Sequence, residues 1–202
     1  MNPELSPIIL FVYNRPWHTA QTIEALKNNE LASESDLFVF SDGPKIENDE
    51  NVRKVREYIK TIGGLKSVTI IERKKNLGLA NSVISGVTEI INKFGKVIVL
   101  EDDLVTSKYF LRYMNDALEK YENEEKVISI HGYMYPVKEK LPETFFLKGA
   151  DCWGWATWKR GWDLFNSDGK ELLKLIQERN LQKEFDFNGA YPFYDMLKAQ
   201  VE

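Results

Sequence analysis

Short, continuous apolar runs alternate along this chain with stretches whose apolar residues recur at helical spacing, and few folds accommodate that pattern. Pro7 to Tyr13, Leu37 to Phe40, Val68 to Ile71 and Val97 to Leu100 are too short for helices. Runs of this kind suit strands covered on both faces. Between them lie Ala20, Ile23 and Leu26 after Arg15-Pro16, a stretch from Glu50 to Ile62 closed by Gly63-Gly64, and Ala80, Val83, Ile84, Val87, Ile90, Ile91 and Phe94, stopped by Gly95. The last set follows the i, i+3, i+4, i+7 rule of an amphipathic helix, with glycine at its end. A further helix is expected from near Ser107, with Phe110, Leu111, Met114 and Leu118 on one face, and a fifth strand over Val127 to Ile130. Strands alternating with helices mean βαβ units joined by right-handed crossovers. The expected fold class is therefore α/β, an open, mainly parallel sheet flanked by helices, up to about residue 131.

Beyond that point the elements shorten. Thr144 to Leu147 reads as a short element, and Trp153, Trp155, Trp158 and Trp162 crowd into ten residues. Asp168-x-x-Glu171 is a capping box opening a helix over Gly169 to Arg179. The chain closes in a helix from Phe193 that reaches Glu202 without a C-cap signal, an ending expected of a fragment.

Composition removes several function classes. At 202 residues with 43% hydrophobic and 29% charged residues, the chain has the make-up of a soluble globular protein. Its net charge of −4 offers no basic footprint for a phosphate backbone, so nucleic acid is not the expected partner. The single cysteine, Cys152, rules out an intramolecular disulfide or multi-cysteine zinc site and suits a reducing compartment. The N-terminus lacks the basic and apolar regions of a secretory signal, and no apolar run approaches the roughly 20 residues of a membrane span. A cytoplasmic protein is expected, with room for peripheral association at the inner face of a membrane.

Open α/β sheets bind ligands at the carboxyl ends of their strands. Asn14-Arg15, Ser41-Asp42-Gly43, Arg73-Lys74-Lys75-Asn76 and Glu101-Asp102-Asp103 follow the first four strands. Acids and bases mixed at one edge suit a phosphorylated ligand with a divalent cation. Three consecutive carboxylates repel one another unless solvent or a cation offsets them, and hard oxygen ligands favour Mg²⁺ or Mn²⁺. An acidic triplet at a strand exit also serves simply to cap the following helix. The first βα turn, Tyr13 to Trp17, has neither the glycines of a dinucleotide fold nor a P-loop ending.

The order of these elements, with Asn76-Leu-Gly78 and Ala80-Asn81 opening a helix and Glu101-Asp102-Asp103 in the position of an Asp-x-Asp motif, resembles the GT-A glycosyltransferases. The likeness is to N-acetylglucosaminyltransferase I-like and family-two-like sugar transferases, which carry an aromatic segment like Trp153-Gly154-Trp155. The resemblance implies a single domain over 1–202, with a nucleotide-sugar-binding half at about 7–131 and the start of an acceptor half at 132–202. It implies that Asp42 accepts a hydrogen bond from the donor base, that Asn14 and Arg15 line the base pocket, and that Asp103 is the direct ligand of Mn²⁺ or Mg²⁺. Glu101 and Asp102 would face the ribose and donor sugar, with Lys74 and Asn76 near the nucleotide. The activity implied is metal-dependent, inverting transfer of a hexosyl or N-acetylhexosaminyl group from a nucleotide-sugar, UDP-linked by preference, to a glycan or lipid-linked acceptor.

An inverting transferase needs a carboxylate base. Asp151 and Asp195 are the candidates within the chain, unless the base lies beyond Glu202. Trp155, Trp158 and Trp162, spaced by three and four, are expected on one face of a core helix, leaving Trp153 beside Gly154 to stack on a sugar. His18, His131 and Cys152 are expected to be structural, the cysteine buried. A nucleotide-sugar-binding module without turnover and a sugar nucleotidyltransferase are the alternative functions.

Overall fold

The computed structural model describes residues 4–202, which form two compact units. The first holds the residues up to 143 together with 150–162, and the second holds 144–149 and 163–202.

The first unit is built on a six-stranded sheet. Strands β1 (Ile8–Val12), β2 (Asp36–Ser41), β3 (Ser67–Glu72) and β4 (Lys96–Glu101) run parallel, and β5 (Ser129–His131) and β6 (Trp155–Trp158) complete the order β3-β2-β1-β4-β6-β5. Helices α1 (Pro16–Lys27), α2 (Glu50–Ile59), α3 (Leu79–Phe94) and α4 (Phe110–Lys120) make the connections. All five residues of β1 are buried, because alternate side chains enter different cores. Ile8, Leu10 and Val12 pack with Ile23, Leu26, Val55, Ile59, Leu111 and Met114, from α1, α2 and α4. Ile9 and Phe11 pack with Val87, Ile90 and Ile91 of α3. The α3 helix ends where expected, with Gly95 in the left-handed region at φ 77°.

The expected mainly parallel α/β sheet is thus present, with differences of detail. The α2 helix stops at Ile59, and two tight turns, Thr61 N–H to Tyr58 C=O and Ile62 N–H to Ile59 C=O, carry the chain onward. Thr144 to Leu147 adopts no regular structure.

The tryptophans require a correction. Trp155 and Trp158 lie on strand β6, antiparallel to both β4 and β5, not on a helix. Three residues apart on a strand means opposite faces. Trp158 is buried in the core beneath α4, and its indole N–H donates to Leu118 C=O. Trp155 packs on the α3 side, stacked on Trp162, which lies in the one-turn helix α5 (Lys159–Trp162).

In the second unit, helices α6 (Gly169–Glu178), α7 (Gln182–Phe185) and α8 (Phe193–Val201) pack on one another, and Phe185, Phe187 and Tyr191 make ring contacts with Phe193. The expected cap of α6 is present on one side: Asp168 accepts from the backbone N–H of Lys170 and Glu171. Glu171 instead accepts from the side chain of Asn166. No helix among the described residues is long and apolar enough to cross a membrane.

Candidate active site

The strand order reverses direction at β1, whose neighbours are β2 on one side and β4 on the other. Such a switch point splays the two following loops apart and leaves a crevice at the carboxyl end of the sheet. Phe11 pairs with Glu101 across it, so the residues just beyond, Asn14-Arg15 and Asp102-Asp103, emerge side by side.

Arg15 joins the two loops. Its Nη2 donates to Asp102 Oδ1 and its Nη1 to Asp103 Oδ2, the latter at 2.9 Å. The two arms differ in setting. The Asp102 side chain is 4% exposed, whereas those of Asp103 and Arg15 are each 43% exposed. Beneath them, the buried Thr22 hydroxyl of α1 donates to the Asp102 carbonyl at 2.9 Å. Burial pushes the carboxyls of Glu101 and Asp102 upward; the negative charges of Asp103 and Asp102 add to the effect at Glu101, while Arg15 opposes it at Asp102.

Asn29, at the end of α1, anchors the loop that continues from the acids. Its side-chain amide donates to Thr106 Oγ1 and its Oδ1 accepts from Leu111 N–H. This loop forms one wall of a cavity of about 300 Å³ lined by Asp103, Thr106, Phe110, Tyr133, Trp153 and Gly154, among others. Gly132 and Gly154 lie against Phe110, and Gly132 N–H donates to Gly154 C=O at 2.7 Å. At the rim, Tyr133, Tyr135 and Trp153 make mutual edge and tilted ring contacts while staying substantially exposed.

The other site residues named from the sequence are spread over several places. Asp42 is buried, and its carboxylate accepts from the backbone N–H groups of Gly43, Leu77 and Gly78 at 2.9 to 3.1 Å. Asn76 donates to Gly43 C=O at 2.7 Å, so Asp42 and Asn76 together bolt the loop after β2 to the loop after β3. Asn14 reaches Asp49 at 3.4 Å, and Lys74 is exposed. Asp151 organises the aromatic rim: Oδ1 accepts from Trp153 N–H and Oδ2 from the Tyr135 hydroxyl. Asp195 is exposed in the first turn of α8, in the second unit.

His131 is held in place by Asp151 N–H at Nδ1 and by Ser129 Oγ at Nε2, whereas His18 is exposed. Cys152 is exposed rather than buried as expected, because the turn at Asp151 and Gly154 leaves it at the rim. Tyr133, Tyr135, Phe110 and Asn29 were not legible as site residues. The one available signal was the Tyr133-x-Tyr135 pair just after a strand end.

Among the described residues no group of three His, Cys, Asp or Glu side chains is placed to hold a metal. The acids nevertheless suit a cation shared with a substrate. Mg²⁺ and Mn²⁺ at phosphate sites commonly use one or two carboxylates and take their remaining ligands from water and phosphate. Two carboxylates, Asp102 and Asp103, share a single guanidinium, and the buried Oδ2 of Asp102 has no hydrogen-bond partner.

The model of Glycosyl transferase family 2 matches residues 8–174, which includes every strand of the sheet and the acidic loop. The chain belongs to this family. The GT-A fold expected from the sequence accords with that membership and with the strand order. None of the curated proteins compared with the chain matches it. Similar solved structures include the mannosyltransferase PcManGT from Pyrobaculum calidifontis in complex with GDP-Man and Mn²⁺, at 14% identity and a TM-score of 0.45, covering 64% of this chain and 35% of that one. Residues 1–349 of S. aureus TarS are similar at 16% identity and a TM-score of 0.48, covering 76% and 47%. This family 2 chain thus spans less than half the length of either structure.

Proposed function

We propose that this family 2 chain is the donor-binding part of a metal-dependent glycosyltransferase that takes a sugar from a nucleotide-sugar, UDP-linked by preference, and passes it to a glycan or lipid-linked acceptor with inversion. The observation that carries the reading is Asp103: delivered by a buried strand to the switch point of the sheet, it lines the same cavity as Trp153 and Tyr133. Asp103, with Asp102 behind it, would hold Mn²⁺ or Mg²⁺, which supplies positive charge against the diphosphate as the anomeric bond breaks. Trp153 and Tyr133 offer aromatic faces to a sugar, and the cavity is of a size to enclose one. Asp42 and Asn76 support nucleotide binding by fixing the loop on which Lys74 stands, and Glu101 and Asp102 set the charge at the sugar side.

A second reading, a nucleotide-sugar-binding module without turnover, is favoured by Asp151, whose two carboxylate oxygens both accept hydrogen bonds within the rim. Calorimetry with UDP, with and without Mn²⁺, tests the common premise; binding indifferent to the metal and unchanged in Asp103→Ala would refute it. Release of UDP from a UDP-sugar supports the transferase, whereas tight binding without release supports the module.

A further inference from the structure

Arg15 was expected in the base pocket, yet its guanidinium lies on the carboxylates of Asp102 and Asp103. Its two arms are unequal. The Asp102 carboxylate is withdrawn from solvent, so breaking its pair with Arg15 would strand a buried charge. The Asp103 arm lies in the open, where such a pair is weak and exchanges readily. Asp103 is also the acid that lines the cavity. The same guanidinium fork fits a phosphate as well as a carboxylate, and a doubly charged diphosphate outcompetes a single exposed carboxylate for it.

We propose that Arg15 holds Asp103 in place of a cation and yields it when a nucleoside diphosphate takes up the exposed side of the guanidinium. This rests on the metal-dependent reading above and adds to it: divalent-metal and diphosphate binding are coupled through one side chain of the protein. Without the diphosphate, a cation approaching Asp103 meets a positive charge already seated there. With it, the guanidinium turns to the phosphate oxygens, and Asp103 is freed with its charge uncompensated. Arg15 would thus keep metal occupancy low until donor arrives.

The test measures three ligands separately on the intact chain. Free Mn²⁺ is counted by electron paramagnetic resonance, and UDP and uridine are titrated calorimetrically in EDTA. Arg15→Gln is expected to bind Mn²⁺ alone about tenfold more tightly, because a unit charge a few ångströms away has been removed. The same variant is expected to bind metal-free UDP about tenfold more weakly and uridine unchanged. Arg15→Lys, whose single nitrogen cannot bridge both carboxylates, should fall between wild type and Arg15→Gln for Mn²⁺, and decides the matter if Arg15→Gln does not fold.

Equal or weaker Mn²⁺ binding in the folded variants overturns the proposal, as does a loss of uridine binding equal to that of UDP, which would return Arg15 to a base pocket. Mn²⁺ binding that Asp103→Asn abolishes, but that is the same with and without Arg15, overturns the Arg15 proposal and leaves the metal reading intact. Absence of Mn²⁺ binding in every protein, even with UDP, overturns both.

Discussion

The Thr22 hydroxyl donates to the Asp102 carbonyl at 2.9 Å, tying the first helix to the acidic end of β4 across 80 residues of chain. Thr22 is completely buried, so no water can replace the bond. Thr22→Val keeps the shape but leaves that carbonyl unpaired, and is expected to cost about 1–3 kcal/mol in chemical denaturation. Thr22→Ser should recover most of the loss. Equal stability of the valine variant and wild type would show that the bond does not hold the loop.

Asp42 gathers three backbone N–H groups on one buried carboxylate. Asp42→Ala strands them, with an expected loss of about 2 kcal/mol or more, and hydrogen exchange should accelerate at Leu77 and Gly78 before it does in the sheet. Asp42→Asn retains one acceptor oxygen and should lie between. Unaltered exchange at Leu77 and Gly78 in the alanine variant would contradict a structural role for this acid.

Gly154 has φ 73°, and a Cβ there would stand 3.2 Å from the Phe110 ring. Gly154→Ala combines backbone strain with pressure on the cavity floor, and about 1–2 kcal/mol of destabilisation is expected. Gly63, where an added Cβ meets nothing within 4 Å, provides the control: Gly63→Ala should be neutral or mildly stabilising. A thermal melt of the two variants side by side reads the contrast.

Burial holds the His131 imidazole below its ordinary value of 6.5, against the opposing pull of Asp151. The Asp151 N–H at Nδ1 likewise favours the neutral ring. The unfolded chain therefore takes up a proton before the folded one does, so stability is complete above about pH 6.5 and declines as pH falls through that value. Denaturant midpoints between pH 5.5 and 7.5 should slope in wild type and flatten in His131→Gln. An unchanged slope would assign it to the carboxylates.

The strands were readable because burial on both faces leaves a run such as Ile8 to Val12 with no polar interruption. The tryptophans misled for the converse reason: spacings of three and four suggest a helical face, but β6 sends Trp155 and Trp158 into different cores, and a four-residue strand has too little pattern to reveal this. The acids of the site were legible as a cluster in sequence. Their partner was not, since which loop lies beside Asp102 depends on β4 pairing with β1, a long-range choice that periodicity does not encode. Asp42 stood out as an acid at a strand end, but nothing in the sequence announced that backbone amides from the loop after β3 would occupy it.

The crevice exists only where β1 pairs with β4. β1 and β2 are near in sequence and pair at a smaller loop-closure cost, whereas β4 must close a loop of more than eighty residues to reach the other edge of β1. Until that closure, Arg15 and Asp102 belong to separate pieces of chain. A chain in which β1, β2 and β3 pair but β4 does not would lack one wall of the crevice, so competence for ligand depends on that long-range pairing.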